Sequence, residues 1–349
     1  MLCIVASHYT YYGTQGAVLD IYATNFYDVL RLGGGVGVNC FVLASGYFMV
    51  NGTISMPKLA RLIYQVISFA SIISILAYGV GNPLFDVSLV ETIKSGVGIQ
   101  GGYWFINAYL VLMLMVPFLN ILVHKMSRKE HLVLIYTLVG LCCILPEYVR
   151  IPTYCNPIGL FVLLYIIAAY IRLYEVELFA GNRLMVYLFC AIVFSAAIIY
   201  MAPVVASICH SEFVYYRIRH YMVCKEGIPV LIISLLMFMC CLRLRIGKNR
   251  VINYIAASTL GVYLFHEHPL MRDFIWQKCL HTRDSVHGDS PVLHCVVAIS
   301  VVYIAGTIAD IVWRYSIGRL YTPVERFLLL PGYNHVKNWA RRLFAASEG

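Results

Sequence analysis

The sequence predicts an all-α, polytopic membrane protein, and three observations carry that prediction. Hydrophobic residues make up 61% of the 349 and charged residues only 12%, about half the charged share of a soluble domain. Mean hydropathy is +0.78. Apolar runs recur at the roughly 17–25 residues that a helix needs to cross a bilayer. Runs this continuous exclude the alternating pattern of a membrane β-barrel. No internal repeat and no soluble domain interrupts them.

Ten apolar segments follow in order, at 1–12, 33–50, 58–79, 103–123, 132–149, 157–174, 184–204, 227–243, 252–276 and 292–315. The prediction is about ten transmembrane helices in one membrane domain over 1–330, followed by a basic tail over 331–349. With both termini in the cytoplasm, 17 of the 26 Lys and Arg residues fall in inner loops and the tail. That bias matches the positive-inside rule. The net charge of +9 comes mostly from it, so it implies no nucleic-acid partner. The tail NHVKNWARRLFAA suits an anionic inner leaflet.

The first segment, MLCIVASHYTYY, is short. Its 12 residues rise about 18 Å as helix, against a hydrocarbon core of about 30 Å. It has neither the basic start nor the small-residue cleavage site of a signal peptide. It is either re-entrant or the end of a longer helix, and the expectation here is a first helix truncated at its N-terminal side.

Twelve cysteines occur, most of them inside apolar segments, where the thiol behaves as a small hydrophobe. No zinc-ligand spacing joins them. Cys155, Cys209, Cys224 and Cys279 fall in outer loops, which leaves a disulfide among them open.

Polar groups inside spans are costly and mark either a buried partnership or a functional site. His8 fits both readings, as an interfacial hydrogen-bonding residue or as a general base. In GGGVGVNCFVLASGYFMV (33–50) the glycines allow close helix approach; packing alone does not account for Asn39 and Ser45. Lys58 and Arg61 open the third segment as positive-inside anchors that also suit a phosphate-bearing ligand. Tyr103 and Trp104 stand at an outer membrane edge, where aromatic residues collect. His266, Glu267 and His268 are consecutive and cannot share one helical face, so no metal site is expected from them. Glu267 could pair with a neighbouring His266, His268 or Arg272, or orient the His8 imidazole as the acid of a catalytic triad does.

Together these stretches resemble the membrane-bound acyltransferase-3 family, in particular its bacterial exopolysaccharide and capsule branch. The likeness runs through the opening run ending in His8-Tyr9, Gly35 to Phe48, the pair Lys58/Arg61, Tyr103 to Asn120, Leu163 to Arg172, and Ser258 to His268. The family carries an arginine eleven residues before its first-span histidine; that position falls before Met1. The resemblance implies a multi-pass plasma (inner) membrane enzyme with no permanently bound cofactor. It would take an acyl group, usually acetyl, from cytoplasmic acetyl-CoA to a hydroxyl of a cell-surface or exported carbohydrate.

In these terms His8 is the catalytic base and Glu267 its orienting acid. Lys58 and Arg61 would meet the CoA phosphates. Asn39, Ser45, Tyr103, Trp104 and His266 would line the substrate cavity, with Asn39 or Ser45 available to an oxyanion. The rival classes are a glycan transporter or polymerase without acyl transfer, and an inactive truncated copy. A flippase calls for a cationic central cavity and a polymerase for a large outer loop; neither is evident in the sequence.

Overall fold

The computed structural model describes residues 1–324 apart from 18, 53–55, 82, 83, 86, 98–101, 147–156, 176–182, 245, 246 and 289. The predicted basic tail, 331–349, lies outside the described residues. Among the described residues the chain is helical throughout, with no strand.

The first helix, α1, covers Leu2–His8 and passes into a π-helical turn, Tyr9–Gly13. It lies along α2, Ile21–Met49. Glycines make that approach possible. A Cβ at Gly34 would stand 2.3 Å from Ser7, and one at Gly37 would stand 2.8 Å from Ile4. The same helix meets α7, Pro157–Leu173, at Gly46, where a Cβ would come within 3.1 Å of Ala168. The glycine-rich run therefore serves packing, as its composition predicts.

The sequence predicts a second segment from residue 33, whereas α2 begins at Ile21. Asp20 caps it by accepting a hydrogen bond from the Ala23 amide at 2.7 Å. The added turns carry Asp28, which is buried and paired with Arg219 from α9, Glu212–Val223. A local hydropathy window does not register that ion pair as part of a helix, because its partner is 191 residues away.

Helix α3 spans Met56–Val80, and short α4 covers Leu89–Gly96. Helix α5 is Trp104–Lys125, and α6 is Arg128–Val139 with a π turn to Ile144. Helix α7 is the most enclosed, with every residue from Leu163 to Ile171 buried. Helix α8 is Arg183–Ile208, and α9 is followed by α10, Ile228–Arg243. Helices α11 and α12 are Arg250–Ala256 and Thr259–His266, then come α13, Pro269–Asp273, and a π turn to Cys279. Short α14, Thr282–Ser285, precedes the long α15, Pro291–Tyr315.

Among the described residues, six helices are long and apolar enough to cross a membrane, counting Glu212–Arg243 as one, and Pro157–Leu173 is a shorter apolar helix. The predicted segment 1–12 is helical over Leu2–Gly13 and 132–149 from Arg128 to residue 146, each through a π turn and the latter with its end outside the described residues; 252–276 is interrupted. The interruption of 252–276 has a local cause. Pro269 has no N–H to donate and forces the preceding residue out of helical conformation. His268 accordingly sits at φ −60°, ψ 130°, and α12 ends at His266. Cys209 and Cys279 keep free thiols, the Cys224 thiol donates to the Tyr221 carbonyl at 3.6 Å, and Cys155 lies outside the described residues.

Candidate active site

Three polar side chains converge where α1 and α12 end. His8 closes α1, at the switch into π geometry, a feature often found at functional sites. His266 closes α12, and Glu267 is the next residue. His8 Nδ1 lies 2.9 Å from His266 Nε2 and 3.2 Å from Glu267 Oε2. His266 and Glu267 are fully buried.

The proton positions follow from the partners. His266 Nδ1 is 2.5 Å from the Val262 carbonyl, which can only accept, so Nδ1 carries the proton. In the neutral ring Nε2 is then an acceptor, and His8 must donate to it from Nδ1. That leaves a lone pair on His8 Nε2. Glu267 Oε2 has no hydrogen-bond partner, since the His8 proton points at His266 instead. Glu267 Oε2 thus lies beside the His8 ring without a hydrogen bond to it.

Glu267 is itself held through Oε1. Tyr12 donates to it at 3.0 Å and Arg272 at 2.6 Å. The Arg272 guanidinium lies 4.8 Å from the Tyr12 ring centroid and also donates to the Gly102 carbonyl at 2.9 Å. Gln277 donates to the Tyr12 and Gly13 carbonyls at 2.8 and 3.0 Å, which satisfies the end of the π turn. His268 has a different task. Its Nδ1 accepts from the Leu270 amide at 3.2 Å and caps α13, and its Nε2 faces the Ser74 hydroxyl at 3.2 Å.

His8 forms part of the wall of a cavity of about 90 Å³. The rest is almost entirely apolar or aromatic, with Ile4, Val38, Phe41, Trp104, Phe105 and Tyr263 among its lining, and Met1, Leu62 and Leu260 as well. Of the five predicted cavity residues, Trp104 is part of this wall. Asn39, Ser45, Tyr103 and His266 are not. The Asn39 amide donates to the Lys225 carbonyl at 3.0 Å, and Ser45 accepts from Tyr109 at 3.2 Å. The Tyr103 hydroxyl donates to the Leu264 carbonyl at 2.7 Å, and His266 faces His8.

Lys58 and Arg61 are exposed on the first turns of α3, next in sequence to the cavity residue Leu62. The Arg61 guanidinium stands 6.0 Å from the Tyr321 ring centroid. Two residues of the site are not singled out by the sequence pattern. Tyr12 lies four residues after His8, a spacing that puts the pair on one helical face. Lys225, between α9 and α10, has its ammonium 4.9 Å from the Trp104 ring centroid and 2.7 Å from Glu226; nothing local signals that contact.

A family model described as an acyltransferase domain matches residues 1–310. The chain belongs to the acyltransferase-3 family. It is thus a multi-pass membrane acyltransferase, and the match covers α1 through nearly all of α15, including every residue of the His8 cluster. No curated protein and no solved structure matches this acyltransferase.

Proposed function

We propose that this acyltransferase moves an acyl group, in the simplest case acetyl, from acetyl-CoA to a hydroxyl of a cell-surface or exported polysaccharide or its lipid-linked precursor. The observation that carries this reading is the fixed proton on His8 Nδ1, which leaves Nε2 unprotonated on a ring that forms part of a cavity wall. An alcohol is a weak nucleophile at neutral pH, and a base within hydrogen-bond reach of its proton removes that obstacle.

His8 Nε2 takes the proton as the hydroxyl oxygen attacks the thioester carbonyl. The new C–O bond forms and a tetrahedral oxyanion results. The C–S bond then breaks, and His8 returns the proton to the departing thiolate. Glu267, 3.2 Å from Nδ1, favours the transient imidazolium. The apolar wall suits an acyl group. Lys58 and Arg61 supply cations for the CoA phosphates at the end of α3 nearest Leu62. With both termini in the cytoplasm of a plasma (inner) membrane protein, that end faces the CoA pool.

The test is ester-linked acetyl on the host's surface glycan, in a deletion strain, in that strain carrying this chain, and in that strain carrying His8→Ala. Restoration by the chain and not by His8→Ala supports the reading. Restoration by both removes His8 from the mechanism, and acetyl unchanged by the deletion removes this glycan as acceptor.

A further inference from the structure

We propose that His8, His266 and Glu267 form a binding site for a divalent transition metal, with Zn²⁺ the natural occupant, and that filling it silences His8. The second half rests on the acyl-transfer reading; the first does not.

The ligand set comes first. One ring nitrogen each of His8 and His266 and one Glu267 oxygen all lie within 4.8 Å of one another. Zinc–ligand bonds of about 2.0 Å in tetrahedral geometry put ligand atoms about 3.3 Å apart. Two of the observed separations are 2.9 and 3.2 Å. Small side-chain rotations are therefore enough to surround an ion. Two histidines and a glutamate are also one of the donor sets that zinc takes in open sites, where the remaining position is left to water or substrate.

Orientation comes second. A metal-binding histidine characteristically donates its other ring N–H to a carbonyl or carboxylate. His266 does so to Val262, leaving Nε2 as a ready ligand. Tyr12 and Arg272 hold Glu267 by Oε1. Its other oxygen, Oε2, is buried without a hydrogen-bond partner and lies beside the two imidazoles. A buried carboxylate oxygen left in this state is expensive, and a cation supplies what it lacks. His268 takes no part, since both its ring nitrogens are occupied elsewhere. Arg272 places a positive charge against the same carboxylate, so binding is reversible and weaker than in a closed structural site.

The effect on His8 is a matter of protons. Neutral His8 carries its hydrogen on Nδ1. A metal on Nδ1 requires that hydrogen to move to Nε2, with no net gain or loss. The lone pair at Nε2 is then gone, and with it the base.

The experiment uses the full chain purified in lipid nanodiscs. Bound zinc is counted after equilibration with micromolar Zn²⁺ and removal of excess, for wild type, His266→Ala and His8→Gln. Thermal unfolding without metal checks that each variant is folded. The expected result is one zinc per chain in wild type and none in either variant. Co²⁺ loading should give the visible absorption of a tetrahedral N/O site. Absence of bound zinc in wild type, or equal zinc in the folded variants, overturns the site. Stoichiometric zinc with undiminished acetyl transfer overturns the silencing. Stoichiometric zinc in a chain that transfers nothing even after chelation upholds the site and removes the acyl-transfer reading.

Discussion

His8 and His266, 258 positions apart, share one proton at 2.9 Å between Nδ1 of the first and Nε2 of the second. Each ring thereby fixes the tautomer of its neighbour, and the chain of bonds ends at the Val262 carbonyl. This relay leaves Nε2 of neutral His8 unprotonated, as the proposed base requires, and holds the ring against His266.

Replacing His8 with Ala or Gln should lower acyl transfer about 10²–10⁴-fold, the usual contribution of a positioned base. Protein level in the membrane should be unchanged. Transfer measured beside immunodetection checks both, and near-normal transfer would remove His8 from the reaction.

His266→Ala leaves His8 present without its acceptor. The ring can then rotate, and a misplacement of about 1 Å costs roughly 10²-fold in rate. The loss should fall on kcat, with KM for acetyl-CoA little changed, since His266 is not part of the cavity wall. A selective rise in KM would instead mean that His266 touches the donor.

Glu267→Gln strands Arg272, whose side chain is only 23% exposed. Breaking a buried pair by removing one partner costs about 3–5 kcal/mol, so Tm should fall clearly. Combining Glu267→Gln with Arg272→Met should recover much of that stability and none of the activity. Thermal unfolding of the four proteins in one detergent separates the two effects; a double variant no more stable than Glu267→Gln would contradict the pairing.

Gly34→Ala should displace α1, because the new Cβ would lie 2.3 Å from Ser7. His8 is the residue after Ser7, so transfer should fall with it. Ser7→Gly removes the clashing atoms, and the double variant should regain activity that Gly34→Ala lacks. Failure of Ser7→Gly to suppress the defect would show that Gly34 acts otherwise.

Outside the long apolar helices, the Ser88 amide and hydroxyl hold the Glu91 carboxyl below the usual carboxylate range, through a capping box at the start of α4. A depressed folded pKa means that the ionised form stabilises the helix. That support is fully present above the ordinary carboxylate pKa and is lost as pH falls through the lowered one. Hydrogen-exchange protection at Glu91 and Thr92, taken relative to the intrinsic rate at each pH, should fall in acid, and Ser88→Ala should lower it already at neutral pH.

The sequence by itself determined the helical class, the membrane setting and the family, because bilayer length and hydropathy are local properties of the chain. Hydropathy runs 252–276 as one segment, although the break after His266 has a local cause, proline acting on its immediate neighbours. The tight packing around Gly34, Gly37 and Gly46 was legible in the sequence. Local periodicity could not supply the start of α2 at Ile21, where a distant Arg219 pairs with Asp28. It also placed His266, Glu267 and His268 on different faces of one helix, while offering Glu267 as a partner for His266, His268, Arg272 or the His8 imidazole without deciding among them. In the structure α12 ends between them, so Glu267 turns back beside His266 and α1 brings His8 to both. Which cavity residue belongs to the wall was likewise a tertiary matter. The Asn39 amide N–H and the Ser45 hydroxyl meet Lys225 and Tyr109, partners that only packing selects. Spacing along a chain can nominate polar groups, but the proton on His8 was decided by a carbonyl and a second imidazole that the fold delivers from the far end of the sequence.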